Sequence, residues 1–259
     1  MENRETTVRV ILGQYFDHYV NFIKCNNQIW LVKSYYSPFN ILESSHFIID
    51  AYYIASNKMY SQLEIVLNEM RILGINAERY KGKDYKELLV RSGLSYGCRR
   101  NSLAYDELGS RFVIGAITLP LETIMGDSES ISEHINFLTL CGNCMKCVDA
   151  CPTKALSAMG LDASKCLRHY MNIGKFPNKA VAKKAGLRLL GCDICQDVCP
   201  HNSQVRKEMP IELKEIFKID GFFERLKSAK PVLTKHIGAN YSKVEWLGKL
   251  ASQLNNVEE

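Results

Sequence analysis

The chain has 259 residues, 46% of them hydrophobic, and its 33 Lys and Arg exceed its 28 Asp and Glu to give a net charge of +5. This length can bury one large core and one small one, and no apolar stretch approaches the roughly 20 residues of a membrane-spanning helix. The composition therefore predicts a soluble protein of two parts with no membrane partner. The first ten residues hold no apolar segment of a secretion signal, so we expect a cytoplasmic protein whose thiols stay reduced.

The first part of the chain alternates patterns typical of helices and of strands. Apolar residues recur at helical spacing in a predicted first helix, at Val8, Ile11, Leu12, Tyr15, Phe16, Tyr19 and Phe22. A second such pattern, at 57–73, predicts a helix that ends before Gly74. Short apolar runs rich in β-branched and aromatic residues predict strands at 28–33, 47–54, 75–80 and 111–117.

Eight of the ten cysteines follow a spacing typical of iron–sulfur proteins. The spacing is Cys141-x2-Cys144-x2-Cys147-x3-Cys151-Pro152, then Cys166, then Cys192-x2-Cys195-x3-Cys199-Pro200. Three thiolates separated by two residues can wrap around three iron corners of a cubane cluster within one tight loop, so the fourth ligand must come from elsewhere. In bacterial two-cluster ferredoxins, the cysteine before the proline ligates the other cluster. The pattern therefore predicts two [4Fe–4S] clusters.

The same rule assigns ligands to each cluster. One cluster is expected to use Cys141, Cys144, Cys147 and Cys199. The other would use Cys151, Cys192 and Cys195, which leaves it one ligand short, and Cys166 is assigned by elimination as the remaining thiol nearby. Zinc is the alternative, although structural zinc motifs pair two C-x2–4-C knuckles and this run does not resemble them.

The boundaries of the parts follow from the remaining patterns. A polar stretch at 126–133 separates the first part from the cysteines, and a helix is predicted at 178–190 between the two cysteine loops. The sequence thus predicts an α+β protein. Its parts are an N-terminal α/β domain at 1–130, a bacterial ferredoxin-like two-cluster domain at 131–209 and a short helical tail at 210–259.

Every charged side chain between residues 163 and 191 is basic. These residues are Lys165, Arg168, Lys175, Lys179, Lys183, Lys184 and Arg188. The stretch is either a solvated face that offsets negative clusters or a docking surface for an acidic partner, such as an electron carrier or an RNA backbone.

Residues beside the cysteines also follow a family pattern. Leu161, Asp162 and Ala163 precede Cys166, and the run 191–200 reads GCDICQDVCP. With the first cysteine run, they resemble the ferredoxin-like domain of the epoxyqueuosine reductase family. Upstream, the sequences RSGL at 91–94, YG at 96–97, RNSL at 100–103 and the run 109–117 are similar to the loop and strand that this family places before its clusters. The similarity covers about residues 50–205.

The resemblance implies a function. Proteins of this family bind a corrinoid, such as cobalamin, in the N-terminal α/β domain, and pass electrons to it through two clusters. They remove the epoxide oxygen from a modified tRNA base, with electrons from a flavodoxin or ferredoxin type of donor protein. On this basis, the residues expected to line the cofactor face are Tyr96, Gly97, Arg100, Asn101 and Ser102.

This sequence departs from the family pattern in two places. The family carries an acidic proton donor shortly before the Gly-Leu loop, whereas residues 79–85 here read RYKGKDY, so the donor is predicted to be absent and Asp84 does not sit in a matching context. The family continues after the clusters into a helical-repeat domain that helps to hold tRNA, whereas only about 55 residues follow the clusters in this sequence. The sequence therefore indicates two leading functions: a reductase of this family, or an electron-transfer protein without a catalytic site. A zinc-stabilised interaction protein is the third hypothesis.

Overall fold

A computed structural model describes residues 4–24, 27–40, 44–98, 100–120 and 141–255 of the chain. The chain folds as two compact units. The first, here called the N-terminal unit, comprises Met1–Tyr36, Lys58–Arg99 and Leu103–Leu140. The second, the C-terminal unit, comprises Ser37–Asn57, Arg100–Ser102 and Cys141–Glu259. Two short upstream segments therefore belong to the unit that carries the cysteine motifs.

Helices and strands alternate through the described ranges. The helices are α1 (Arg4–Tyr15), α2 (Tyr52–Ile72), α3 (Tyr85–Arg91), α4 (Lys146–Ala150), α5 (Leu167–Ile173), α6 (Lys179–Ala185), α7 (Ile194–Asp197), α8 (Ile211–Ile216), α9 (Phe222–Ser228), α10 (Lys230–Ile237) and α11 (Val244–Asn255). The strands are β1 (His18–Lys24), β2 (Asn27–Tyr35), β3 (Ile48–Ile49), β4 (Glu78–Arg79), β5 (Gly97–Cys98), β6 (Ala104–Tyr105), β7 (Phe112–Pro120), β8 (Leu156–Ser157), β9 (Gly160–Leu161) and β10 (Arg188–Leu190). The predicted mixed class of helices and sheet is confirmed.

A four-stranded antiparallel sheet in the order β1-β2-β7-β4 forms the centre of the N-terminal unit. Its middle strands read as nearly continuous apolar runs because side chains on both faces are buried, as at Trp30 and Leu31. Helix α2 packs on the sheet at Gly115, where a Cβ atom would lie only 2.6 Å from Leu63 Cδ1. The predicted end of α2 is confirmed, because the helix ends at Ile72 and Gly74 adopts a φ of +69°.

The first predicted helix is wrong beyond Tyr15. The chain turns there into β1, and Tyr19 pairs opposite Val32 of β2. The i, i+4 and i, i+3 spacing of Tyr15, Tyr19 and Phe22 suits a helix equally well in sequence, but pairing with the long apolar β2 overrides it.

Two predicted elements of the C-terminal unit are shorter than expected. The predicted strand 47–54 is reduced to β3 because the Asp50 carboxylate accepts a hydrogen bond of 2.9 Å from Tyr52 N, at the residue where α2 begins. The predicted helix 178–190 ends at Ala185, where Gly186 adopts a φ of +58°. Its last residues form β10, which pairs in parallel with β3.

The core of the C-terminal unit joins the cysteine-rich segment to the tail. Leu167 and Met171 of α5 pack in one apolar cluster with Leu213, Leu233 and Leu250 of the tail helices. Each of these side chains is at most 2% exposed. The proposed boundaries at 130 and 209 stay predictions, and the first of them, with the polar stretch 126–133, lies outside the described residues.

Within the described ranges, no helix is both long enough and apolar enough to cross a membrane.

Candidate metal centre

The first cysteine loop is shaped by a tight turn and a short helix. Cys144 N donates a 2.8 Å hydrogen bond to Cys141 O, and Gly142 between them adopts a φ of +44°. Helix α4 then carries Cys147 and ends at Cys151, whose extended backbone leads into Pro152. The turn and the helix together bring cysteines that are close in sequence to one side of a single loop.

Three thiols gather around that of Cys147. Burial raises the pKa of the Cys147 thiol, and the neighbouring thiols of Cys199, Cys141 and Cys144 raise it further. Charge interactions of this kind require proximity. The four cysteines that the sequence assigns to one cluster are therefore brought together, although Cys199 is distant in sequence.

Cys192, Cys195 and Cys166 form a second group. Burial raises the pKa of the Cys192 thiol to about 12, and Cys166 is among the groups that raise it. Burial also raises the pKa of Cys195, with further contributions from Cys192, Cys147 and Cys166. Because Cys195 interacts with Cys147 as well as with its own group, the two groups adjoin each other.

Cys151 has the environment of a stabilised thiolate. Burial would raise the pKa of its thiol, but hydrogen bonds from the backbone N–H groups of Leu156, Ala155 and Thr153 and from the Thr153 hydroxyl outweigh burial and lower it. Cys151 lies at the end of α4, which packs against α7, the helix that carries Cys195. This location is consistent with the predicted crossing of Cys151 to the second group.

The donor set fits iron–sulfur clusters. All eight cysteines are free thiols, and buried thiols of high pKa become thiolates when a metal displaces their protons. Within the described part of the chain, no three His, Cys, Asp or Glu side chains are grouped to hold one metal ion. A single zinc ion draws its sulfur ligands to within about 4 Å of one another, whereas a cubane takes one cysteine at each iron corner.

The residues expected to line a cofactor face divide between the two units. Tyr96 and Gly97 belong to the N-terminal unit, where Tyr96 is 43% exposed and donates a hydrogen bond to Glu107, and Gly97 pairs with Tyr105. Arg100, Asn101 and Ser102 belong to the C-terminal unit. The five residues predicted to line the cofactor face therefore do not all belong to one unit.

Arg100 and Asn101 contact the two cysteine loops. Arg100 donates hydrogen bonds to the carbonyl oxygens of Gly142 and Cys144 in the first loop. Asn101 is buried, and its side chain lies close enough to Cys195 in the second loop to lower the pKa of that thiol. The sequence motif drew attention to these residues, but its spacing gave no indication of these contacts.

A group of carboxylates beside the second loop has no signal in the sequence pattern. Burial raises the pKa of Asp193, and the charges of Asp50 and Asp197 raise it further, while Arg188 opposes them. Arg206 donates a 2.8 Å hydrogen bond to Asp197. A cavity of 20 Å³ lined by Asp193, Asp197, Arg188 and Arg206 is large enough for one water molecule.

A separate acidic residue lies in the N-terminal unit, before α3. Asp84 forms an ion pair with Lys24 and accepts a 2.7 Å hydrogen bond from the Tyr80 hydroxyl. The hydrogen bond from Lys24, with a smaller contribution from Tyr80, lowers the pKa of Asp84. The carboxylate is therefore ionised at neutral pH while Lys24 stays in place.

Comparison with known proteins agrees with this geometry. Residues 140–202 match the family described as the 4Fe-4S double cluster binding domain. The fold and the cysteine arrangement thus define an iron–sulfur protein whose N-terminal part precedes a two-cluster domain.

The relatives are more specific. The epoxyqueuosine reductase of Leadbetterella byssophila is 36% identical over 119 residues, which are 45% of this chain and 36% of the relative. That of Alicycliphilus denitrificans is 31% identical over 186 residues, which are 66% of this chain and 47% of the relative. A crystal structure of epoxyqueuosine reductase with an epoxyqueuosine-modified tRNA-Tyr stem loop matches the fold with a TM-score of 0.64 and 20% identity, covering 89% of this chain and 64% of that one.

The predicted resemblance to epoxyqueuosine reductases is confirmed by these similarities. The chain spans about a third to a half of the length of the curated relatives it matches.

Proposed function

We propose that the chain is an iron–sulfur reductase of the epoxyqueuosine reductase type, which passes electrons through two [4Fe–4S] clusters to an acceptor held by the N-terminal unit. The observation that carries the proposal is the gathering of thiols into two adjoining groups within one compact unit, around Cys147 and around Cys195. Clusters bound there would supply one-electron transfer. Free thiols in this number require a reducing compartment, and we propose the cytoplasm.

The proposed ligands follow the two groups. Cys141, Cys144, Cys147 and Cys199 would hold the first cluster, and Cys151, Cys166, Cys192 and Cys195 would hold the second. We call these the first and second clusters below. The proteins that supply the electrons are proposed to be of the flavodoxin or ferredoxin type.

Metal content tests the proposal directly. Protein reconstituted without oxygen is expected to hold about eight iron and eight sulfide per chain, since two cubanes each contain four of both. Its broad visible absorption should bleach on reduction. Stoichiometric zinc without acid-labile sulfide would contradict the proposal and favour a zinc-stabilised interaction protein.

The proposed acceptor is a corrinoid, and the proposed substrate is an epoxyqueuosine-modified tRNA, the ligand named for one structural relative. Tyr96 and Gly97 remain the proposed residues of a corrinoid face on the N-terminal unit. The family's acid lies shortly before the Gly-Leu loop, and Asp84 is the carboxylate on the segment between β4 and α3. To donate a proton near neutral pH, Asp84 would have to leave Lys24 and also have its pKa raised, because an unpaired aspartate is itself ionised at that pH.

A lysine surface on the C-terminal unit favours a second function, an electron carrier without its own catalytic site. Lys179, Lys183 and Lys184 of α6 and Lys175 before it are exposed. Such a surface attracts an acidic protein, and salt weakens that attraction.

Charge reversal on α6 tests this docking surface. The double variant Lys183→Glu/Lys184→Glu is expected to slow electron exchange with an acidic flavodoxin-type protein by about tenfold at low salt and much less at high salt. The control Lys230→Glu/Lys243→Glu makes the same charge change at exposed sites on other elements. Equal slowing by both variants would show that net charge, and not the α6 surface, governs the exchange.

A further inference from the structure

Arg100 holds the first cysteine loop through its backbone. The guanidinium donates to Cys144 O at 3.2 Å, to Gly142 O at 2.8 Å and to Ala158 O at 2.8 Å. Two of these carbonyls lie within the turn that carries Cys141 and Cys144, and the third lies at the tip of the β8–β9 hairpin. One cationic side chain therefore fixes the ligand turn against a neighbouring hairpin.

The next two residues direct the chain to the second cysteine loop. Asn101 is only 4% exposed, and its side chain lies beside Cys195, where it lowers the pKa of that thiol. Ser102 adopts a φ of +58°, a left-handed conformation that is uncommon for a residue other than glycine. Within the described residues, Lys154 is the other residue of this kind. The backbone is thus strained at Ser102, directly after the two residues whose side chains lie against the cysteine loops.

We propose that Arg100 is a positioning residue that holds the first ligand loop and raises the reduction potential of the first cluster. This inference rests on the proposed assignment of cluster ligands. It adds a role to the one expected for Arg100, because the guanidinium bonds to the first cysteine loop of its own unit.

The physical reason is charge. Each cluster becomes more negative by one unit on reduction, so a nearby fixed cation stabilises the reduced form more than the oxidised form. Loss of the Arg100 guanidinium should therefore make the potential of the first cluster more negative.

Redox titration followed by electron paramagnetic resonance tests the proposal. In Arg100→Gln, the ratio of reduced to oxidised first cluster is expected to fall about tenfold at the unsubstituted midpoint, which is about 59 mV for one electron. The midpoint of the second cluster should stay unchanged in the same variant, because the three Arg100 hydrogen bonds reach only the first loop and the β8–β9 hairpin. The Cys166→Ala variant, which retains the first cluster alone, assigns the signals.

Two further variants separate charge from structure. Arg100→Lys keeps the cation and loses the planar fork, so it should retain the midpoint of the first cluster but release its iron to a chelator faster. Arg225→Gln is the matched control, because Arg225 also donates to two backbone carbonyls of the same unit, Lys218 O and Asp220 O. It is expected to lower the thermal unfolding midpoint without moving either potential.

The outcomes decide the proposal. A shift confined to the first cluster in Arg100→Gln supports it, as does selective loss of the first cluster in Arg100→Gln with full retention in Arg100→Lys. Unchanged potentials with both clusters present, or equal effects on both clusters in every variant, overturn it. If the unsubstituted protein does not hold two clusters, the ligand assignment itself is wrong. That result is distinguishable from a failure of the present proposal, in which both clusters are present and their potentials do not respond.

Discussion

Replacing Cys166 with alanine is expected to remove one cluster, about four of eight irons, and to leave the other intact. Cys141, Cys144, Cys147 and Cys199 would still complete the first cluster, whereas the second would lose one of its four ligands. Iron and sulfide analysis, with paramagnetic resonance of the reduced protein, measures the loss. The matched control is Cys98→Ala, which removes a cysteine outside the motifs and should retain full iron.

The backbone at Cys166 does not depend on its thiol, so the variant should fold. The preceding 3-10 turn is fixed by the Asp162 side chain, which accepts a hydrogen bond from Ser164 N. Cys166 O accepts from His169 N and Tyr170 N at the start of α5, and alanine supplies the same carbonyl. Full iron content and unaltered resonance spectra in Cys166→Ala would show that the second cluster takes its fourth ligand from another residue.

The ligand set could be predicted from sequence because most of it is local. Cys141, Cys144 and Cys147 need only one turn and one short helix to share a loop, and thiolate chemistry restricts what such a loop can bind. Cys166 could be assigned as a ligand only by elimination, because no other cysteine lies near it in the sequence. Its interaction with Cys192 and Cys195 depends on how α5 packs beside β10.

The surroundings of the cysteines could not be predicted in the same way. Arg100 bonds to a carbonyl 44 residues away, and no local period encodes that contact. The carboxylates Asp50 and Asp193 approach each other because β3 pairs with β10. The sequence patterns predict a longer strand in place of β3 and a helix in place of β10, so they give no sign of this pairing. Contacts between distant segments are set by the tertiary fold, which local patterns do not determine.

The proposed reductase and the electron carrier differ in what the N-terminal unit must do. A reductase needs a corrinoid site there, and it needs a proton for its substrate, which are separate demands on the residues. The basic residues Arg79, Lys81 and Lys83 ahead of Asp84 argue against a preserved acid, and the Lys24 ion pair lowers the pKa of Asp84 further. We therefore expect the chain to retain a corrinoid more readily than it turns over an epoxyqueuosine-modified stem loop, and Asp84→Asn to leave corrinoid retention unchanged.

Adding cob(II)alamin to protein with reduced clusters is expected to produce the cob(I)alamin spectrum, and substitution of Cys166 should slow this at least tenfold by removing one cluster from the electron route. Asp84→Asn should reduce the corrinoid at the unsubstituted rate, because Asp84 lies outside the unit that carries the cluster ligands. Stopped-flow absorbance under argon measures both rates, and equilibrium dialysis measures retention of the corrinoid. The opposite pattern decides for the electron carrier: no retained corrinoid, together with rapid reduction of an acidic acceptor protein that slows as salt screens Lys183 and Lys184.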